Sequence, residues 1–316
     1  MSRLALRLKA RAARPDIAFG HTFQPPPYGG SNQFLLALRG ELERRGYRVG
    51  ENLIARSTRA CLLNSYVFDE EALRELRHPG CRVVHRVDGP LSEYRGFDDG
   101  TDHYIAEVNA ELADATVVQS RYSLDANEER GFAFVNPVVI PNAVDPRVFR
   151  PAPARSALGR RVRLISTSWS DNPNKGAETY RWLEQRLDWD RFEWTFVGRS
   201  PVSFEQIRTL PPVGSEELAG ILREHDVYVT ASRHEPCSNA LLEALACGLP
   251  AVYRASGGNA ELVGEGGVPF TEDDELPGAV ERLVDEYGHR RDAIAVASLS
   301  EVTDRYLAAM GLDPWP

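Results

Sequence analysis

The sequence predicts an α/β chain of two doubly wound parallel-sheet domains facing one another across a cleft. Three observations carry this. The 316 residues are too many for one ordinary core and suit two domains of roughly 150 residues each. Short β-branched or apolar runs alternate with longer runs at helical spacing, and a proline-rich break interrupts the series near its middle. Each parallel crossover needs a connection of helix length, so repeated alternation means parallel sheets covered by helices on both faces.

The first series places a strand at Asp16 to Gly20, a helix from about Ser31 to Arg45, and strands near Ala60 to Asn64, Cys81 to Val87 and Ala115 to Gln119. Pro146, Pro151 and Pro153 then fall within 146–155, where fixed φ and missing donors discourage helix and strand. That segment is expected to be the linker, which assigns residues 1–150 to the first domain and 151–289 to the second. The second series runs from a strand at Val162 to Thr167 through a helix at Gly176 to Leu187 and a strand at Trp194 to Gly198. It ends with a helix at Glu216 to His225 and a strand at Asp226 to Ser232. The run from about Arg290 to Met310 reads as one further helix. The architecture is repeated without a sequence repeat.

Composition narrows the function classes. With 42% hydrophobic and 26% charged residues the chain is globular rather than disordered. The net charge is -9, and the acidity sits in the C-terminal half: residues 1–150 hold 20 basic and 20 acidic groups, 151–316 hold 17 and 26. No basic stripe appears beyond the first fourteen residues, which argues against nucleic acid as a partner. Cys61, Cys81, Cys237 and Cys247 show neither CxxC nor zinc-site spacing, so reduced thiols and a cytoplasmic location are expected. No apolar run approaches the roughly 20 residues that span a bilayer. Residues 1–14 carry five basic and no acidic groups with Leu4, Leu6 and Leu8 between them. They suit at most a peripheral contact with an anionic membrane, or a short arm packed ahead of the first strand.

Ligands of open parallel sheets collect beyond the carboxyl ends of the strands, so motifs on strand-to-helix turns carry the functional reading. The segment Glu235-Pro236-Cys237-Ser238-Asn239-Ala240-Leu241-Leu242-Glu243 offers Ser238 or Asn239 as an N-cap, with Gly248 and Pro250 ending a short helix. That helix is apolar around nearly its whole circumference. Glu243 therefore has no broad polar face to occupy, and a partly buried carboxylate needs a hydrogen-bond donor such as a ribose diol. Asn239 and Glu243 lie four apart on one stripe, and the helix N-terminus offers amides to phosphate or hydroxyl groups. A packing helix with two incidental glutamates is the alternative.

Glu235 and Glu243, separated by seven residues, resemble the E-x7-E signature of retaining glycosyltransferases of the GT-B fold, especially family 4. Ile140-Pro141-Asn142-Ala143-Val144-Asp145 resembles the I-P-N-G-V-D segment of that family, Val197-Gly198 its second-domain strand end, and Ser256-Gly257-Gly258-Asn259-Ala260-Glu261 its G-G-x-x-E turn. With Gly29-Gly30 the resemblance spans most of the chain. It implies two Rossmann-like domains, with Glu243 holding the donor ribose and Glu235 a donor-sugar hydroxyl. It also implies that Cys237-Ser238-Asn239 present backbone amides to sugar and phosphate, and that the C-terminal helix rejoins the first domain over about 290–312.

Three further turns fit this frame. Gly29 and Gly30 follow the first strand and open a helix, where missing side chains let backbone approach a diphosphate or an acceptor; a plain loop is the alternative. Lys175, in Asn172-Pro173-Asn174-Lys175-Gly176, is one of two lysines, with Lys9, against 35 arginines. A compact ammonium suits a diphosphate at close quarters, and the resemblance assigns Lys175 to that group. Family members often carry an arginine five residues earlier, where Ser170 stands here, so either Arg199 or Arg233 supplies the second cation or the site runs with less charge. Val83-Val84-His85-Arg86-Val87-Asp88 ends a strand at which related enzymes commonly place a histidine near the reacting carbon. Asp88 stands at that position and His85 three residues earlier. Either fits the role, and a structural Arg86–Asp88 ion pair is the alternative. Asp98-Asp99-Gly100 reads as an acidic helix N-terminus rather than a metal site.

The resemblance implies transfer of a hexose-type sugar from a nucleotide diphosphate sugar, uridine- or guanosine-linked, to an acceptor hydroxyl, with retention and without a metal or other cofactor. The acceptor is a glycan, a lipid-linked sugar or a small molecule. A sugar-nucleotide epimerase or hydrolase on the same fold, and a catalytically silent nucleotide-sugar-binding module, are the rival readings.

Overall fold

The protein is described by a computed structural model covering residues 12–25, 29–152, 158–159 and 161–312. Most of the basic arm at 1–14, the residues 26–28, and 153–157 of the segment read as linker lie outside the described residues.

The chain forms two units. One takes in Leu35–Pro141 with the described parts of Met1–Gln24 and Leu299–Pro316; the other takes in Asn142–Ser298 with the segment Pro25–Phe34. In the first unit six parallel strands stand in the order β2-β1-β3-β4-β5-β6. They are β1 Ile17–Gly20, β2 Val49–Glu51, β3 Ala60–Asn64, β4 Arg82–Val87, β5 Ala115–Val118 and β6 Pro137–Val139. The connecting helices are α1 Gly30–Arg44, whose first five residues belong with the other unit, α2 Glu70–Leu76, α3 Leu91–Arg95, α4 Thr101–Leu112 and α5 Arg121–Glu129. β1 and β3 are buried along their whole length, as parallel strands covered on both faces must be, which is why they read as continuous apolar runs.

The second unit holds β7 Val162–Ser168, β8 Phe192–Gly198, β9 Arg208–Leu210, β10 Val227–Thr230, β11 Ala251–Arg254 and β12 Gly267–Phe270. These are parallel, in the order β12-β11-β10-β7-β8-β9. Its helices are α6 Ala177–Glu184, α7 Ser215–Arg223, α8 Asn239–Ala246, α9 Asn259–Val263, α10 Leu276–Asp285 and α11 Tyr287–Asp292. One apolar cluster joins Ile165, Tyr228, Leu241, Leu245 and Ala251. Another joins Leu164, Tyr180, Trp194, Phe196 and Val229. The fold is thus the predicted pair of doubly wound α/β units.

The C-terminal run corrects the sequence reading. One helix from about Arg290 to Met310 was expected, but the structure has α11 ending at Asp292 and α12 at Leu299–Ala309. Between them Ile294 and Val296, two apart as in an extended segment, pack against the second unit's core. That packing uses a period of two, which a helix cannot supply. α12 lies in the first unit, where Arg82 Nε donates to the Ala309 carbonyl at 2.9 Å and Arg45 pairs with Asp304. The Asp98-Asp99-Gly100 turn starts a helix as read: Asp98 accepts the Gly100 N–H at 2.8 Å and Asp99 the Thr101 N–H at 3.1 Å.

Candidate active site

In the second unit the loops after β7 and β10 are stitched together. Asn172 caps the turn Pro173–Lys175 by accepting the Asn174 N–H at 2.8 Å, and the Asn174 carbonyl accepts the Arg233 N–H at 2.8 Å. Lys175 Nζ forms an ion pair with the Glu235 carboxylate, and both side chains are largely withdrawn from solvent. Behind Glu235 lies the Gly257-Gly258 turn, whose Gly258 N–H donates to the Glu235 carbonyl at 2.8 Å. Gly257 has φ +64°, and a Cβ there would stand 2.4 Å from that same carbonyl oxygen. Only glycine allows this approach, so the G-G turn is the backbone support of Glu235.

The loop carrying Glu235 leads into α8, which begins four residues after Glu235. Ser238 is its N-cap, accepting the Leu241 N–H at 3.4 Å. The Asn239 and Ala240 amides, in the first turn, have no carbonyl within the helix to meet. The side chains beside them are engaged elsewhere. Cys237 is buried with its Sγ accepting the Asn142 N–H at 3.4 Å, and Asn239 Oδ1 accepts from Asn142 Nδ2 at 3.2 Å. Cys237 and Asn239 are therefore available to a ligand mainly through their backbone. Gly30 belongs to the same cluster: a Cβ on it would stand 2.4 Å from Asn239 Nδ2, so a side chain there would displace the amide. Around Gly29 a Cβ would meet nothing within 4 Å.

Glu243 lies one turn along α8 from Asn239. Part of its surface reaches solvent, yet protein atoms crowd the carboxyl, and this burial pushes its pKa up to about 8. No cation or hydrogen bond to the carboxyl among the described residues offsets that. Ser170 serves its own loop, taking a 2.6 Å bond from Ser168 Oγ on its carbonyl and the Asn172 N–H on its hydroxyl at 3.1 Å. Arg199 is exposed with its guanidinium 5.0 Å from the centroid of the Trp169 ring. Arg233 is exposed too, but its backbone is tied to the residue preceding Lys175.

In the first unit, His85 and Asp88 part company. His85 is fully buried, with Nε2 2.7 Å from the Ser65 carbonyl and Nδ1 3.3 Å from Asn109 Nδ2. Burial lowers its pKa to about 4, so it is a neutral core residue whose two ring nitrogens both have protein partners. Asp88 is partly exposed just beyond β4 and receives Arg86 Nη1 at 3.1 Å, so the Arg86–Asp88 ion pair is present. Arg86 Nη1 also donates to Asn64 Oδ1 at 2.9 Å, and Asn64 Nδ2 lies 3.2 Å from His21 Nδ1. His21 and Asn64 join this group without having been singled out in the sequence. Each stands at a strand's carboxyl end, and only the pairing of strands distant in sequence brings them together. Among the described residues no three His, Cys, Asp or Glu side chains gather as metal ligands, and no helix is long and apolar enough to cross a membrane.

Residues 183–286 match the family model for glycosyl transferases group 1. No curated protein sequence matches the chain. Among solved structures, sucrose-phosphate synthase from Thermosynechococcus elongatus is similar at 16% identity and a TM-score of 0.68, with 94% of each chain covered. The catalytic domain of starch synthase IV from Arabidopsis thaliana, bound to ADP and acarbose, is similar at 12% identity and TM-score 0.67, over 94% of this chain and 99% of that one. HepE from Anabaena in complex with UDP-glucose is similar at 14% identity and TM-score 0.64, over 93% of this chain and 94% of that one. At these identities the likeness is one of fold.

Proposed function

From a chain that carries a glycosyl transferases group 1 domain at 183–286 within the GT-B fold, we propose a retaining transferase. It moves a hexose-type sugar from a nucleotide diphosphate sugar to an acceptor hydroxyl without a metal. The observation that carries the proposal is the setting of Lys175. Its ammonium is held by Glu235, which stands on the loop leading into the first turn of α8. A diphosphate needs such a grouping, with a compact cation and amides aimed at one place before the reaction begins.

Departure of the nucleoside diphosphate places negative charge on the phosphate oxygen that held the sugar. Lys175 and the Asn239 and Ala240 amides meet that charge as it develops, and preorganised donors of this kind are usually the largest contribution in such sites. Glu235 accepts a hydroxyl of the sugar, which orients the anomeric carbon. Glu243, whose carboxyl meets no partner among the described residues, accepts hydrogen bonds from the ribose diol. Solved relatives of the fold bound to UDP-glucose and to ADP support a nucleoside diphosphate as the leaving group.

Incubation with UDP-, GDP- and ADP-linked hexoses and a panel of acceptor sugars, with the product's anomeric configuration read by NMR, tests the proposal. Transfer with retention supports it. Release of free sugar points instead to a hydrolase and interconversion without acceptor to an epimerase, while ligand protection without turnover points to a binding module. If Lys175→Ala and Glu243→Ala bind every nucleotide sugar as well as the unaltered protein, these residues do not form the donor site.

A further inference from the structure

A string of hydrogen-bonded side chains crosses the carboxyl ends of three neighbouring strands in the first unit. His21 follows β1, Asn64 ends β3, Arg86 lies near the end of β4, and Asp88 stands just past it. The three strands are adjacent in the sheet, with Asn64 paired in register to Arg86. Arg86 is 1% exposed, Asn64 3% and His21 5%, whereas the Asp88 side chain is 20% exposed. The string is therefore buried along its length and open at one end, and that end is a carboxylate.

Donor and acceptor chemistry orders the string from Arg86 outward. A guanidinium only donates, so the atom of Asn64 facing it is Oδ1 and the atom facing His21 is the amide nitrogen. Asp88 Oδ1 takes its bond from the same Nη1 that serves Asn64. Among the described residues nothing donates to Asp88 Oδ2. The Asp88 backbone is held as well, its carbonyl accepting from Asn127 Nδ2 at 3.3 Å. A buried cation without a carboxylate would be costly. Arg86 thus holds Asp88 Oδ1 and fixes the direction in which the second oxygen points.

We propose that Asp88 Oδ2 receives a hydrogen bond from a hydroxyl of the sugar acceptor, with Arg86 as the residue that positions it and Asn64 as the residue that positions Arg86. The carboxyl ends of an open parallel sheet are where such a ligand binds. A carboxylate that only accepts selects a group that donates, which favours a hydroxyl-bearing acceptor over an anionic one. The proposal rests on the glycosyl-transfer reading for the identity of the ligand, but its test does not depend on turnover.

Binding of methyl glycosides of glucose, galactose, mannose and N-acetylglucosamine to the nucleotide-free protein is read by saturation-transfer NMR and calorimetry. Nucleotide-sugar binding is measured separately by thermal shift. At least one glycoside is expected to bind, and Asp88→Asn is expected to weaken it about 10- to 100-fold, the range for loss of a hydrogen bond to a charged group. Arg86→Lys keeps the charge but loses the fork and is expected to weaken binding several-fold. Arg86→Gln is expected to weaken it as much as Asp88→Asn, and the double variant no more than either alone, since Arg86 acts through Asp88. Multiplying effects in the double variant would assign Arg86 a separate role and overturn the positioning claim. Absence of glycoside binding, or equal binding by the Asp88→Asn protein, overturns the subsite. Failure of the nucleotide sugars to bind would overturn the transferase reading instead.

Discussion

Lys175 and Glu235 form an ion pair between the loop after β7 and the loop after β10. The cation assigned to the diphosphate is therefore already neutralised by the carboxylate assigned to the sugar. An incoming nucleoside diphosphate competes with Glu235 for Lys175, whereas a nucleotide sugar gives Glu235 a hydroxyl in exchange. Lys175→Ala is expected to weaken binding of both ligands about 10- to 100-fold. Glu235→Gln frees the ammonium and is expected to bind the nucleoside diphosphate at least as tightly as the unaltered protein while losing its preference for the nucleotide sugar. Calorimetric titration of the two ligands into each variant measures this, and a loss of nucleoside diphosphate affinity in Glu235→Gln would falsify the exchange.

Glu243 makes donor binding depend on pH in a defined sense. With its pKa pushed up to about 8 by burial, the carboxyl of the free protein carries about nine-tenths of a proton at pH 7. Two ribose hydroxyls donating to the carboxylate favour the ionised form and lower that pKa. Binding at pH 7 is then expected to release a proton and to strengthen as pH rises from about 6 to 8. Titration in buffers of different ionisation enthalpy reads the release directly. An apparent enthalpy that is the same in every buffer would show that Glu243 does not meet the ribose as a carboxylate.

How far the site was legible in the sequence depends on whether its parts are local. The apolar sequence around Glu243 was enough to single it out as a carboxylate in need of a donor, because a helix wheel is a local object. The resemblance brought Lys175 and Glu235 forward separately, but their pairing joins residues 60 apart and exists only once β7 and β10 lie side by side. His21 and Asn64 had no signal at all, since each is a single polar residue at a strand end. His85 stood beside Asp88 as a candidate for the histidine near the reacting carbon, but Asn109 and Ser65, distant in sequence, meet both its ring nitrogens in the core. The break between α11 and α12 was hidden because Ile294 and Val296 answer to the core beneath them rather than to helix periodicity.

The second cation of the donor site can be assigned by comparing Arg199 with Arg233. Arg199 lies over the Trp169 ring, while the Arg233 backbone is bonded to Asn174, beside Lys175. Arg233→Ala is expected to weaken nucleotide-sugar binding about tenfold, as for loss of one charge-assisted contact, and Arg199→Ala to change it little. The effect of Arg233→Ala should also shrink at high ionic strength, because the side chain is exposed and screened. The reverse ranking would transfer the role to Arg199.

The polar string of the first unit predicts a histidine tautomer. Because Asn64 turns its oxygen to Arg86, its amide nitrogen faces His21 Nδ1 at 3.2 Å, which must accept. The neutral ring therefore carries its proton on Nε2. Long-range nitrogen–proton NMR correlations at pH 8 should show an unprotonated Nδ1 in the unaltered protein. In Asn64→Asp the facing atom is a carboxylate oxygen, and the proton should move to Nδ1. An Nδ1–H tautomer in the unaltered protein would mean that the amide of Asn64 is turned the other way and that Arg86 does not order the string.

His85 makes stability depend on pH through its burial. In the folded protein its pKa falls to about 4 from an ordinary value near 6.5, so between those values the unfolded chain binds the proton and the folded one does not. Stability is then complete above about pH 6.5 and is lost as pH falls toward 4, by up to about 3 kcal/mol at 1.36 kcal/mol for each unit of difference. Glutamine can reproduce both bonds, its amide donating to the Ser65 carbonyl and its oxygen accepting from Asn109, yet it does not titrate. Urea unfolding at pH 7 and pH 4.5 should therefore show a smaller difference for His85→Gln than for the unaltered protein. Equal differences would mean that other groups drive acid destabilisation and that His85 takes up a proton inside the fold.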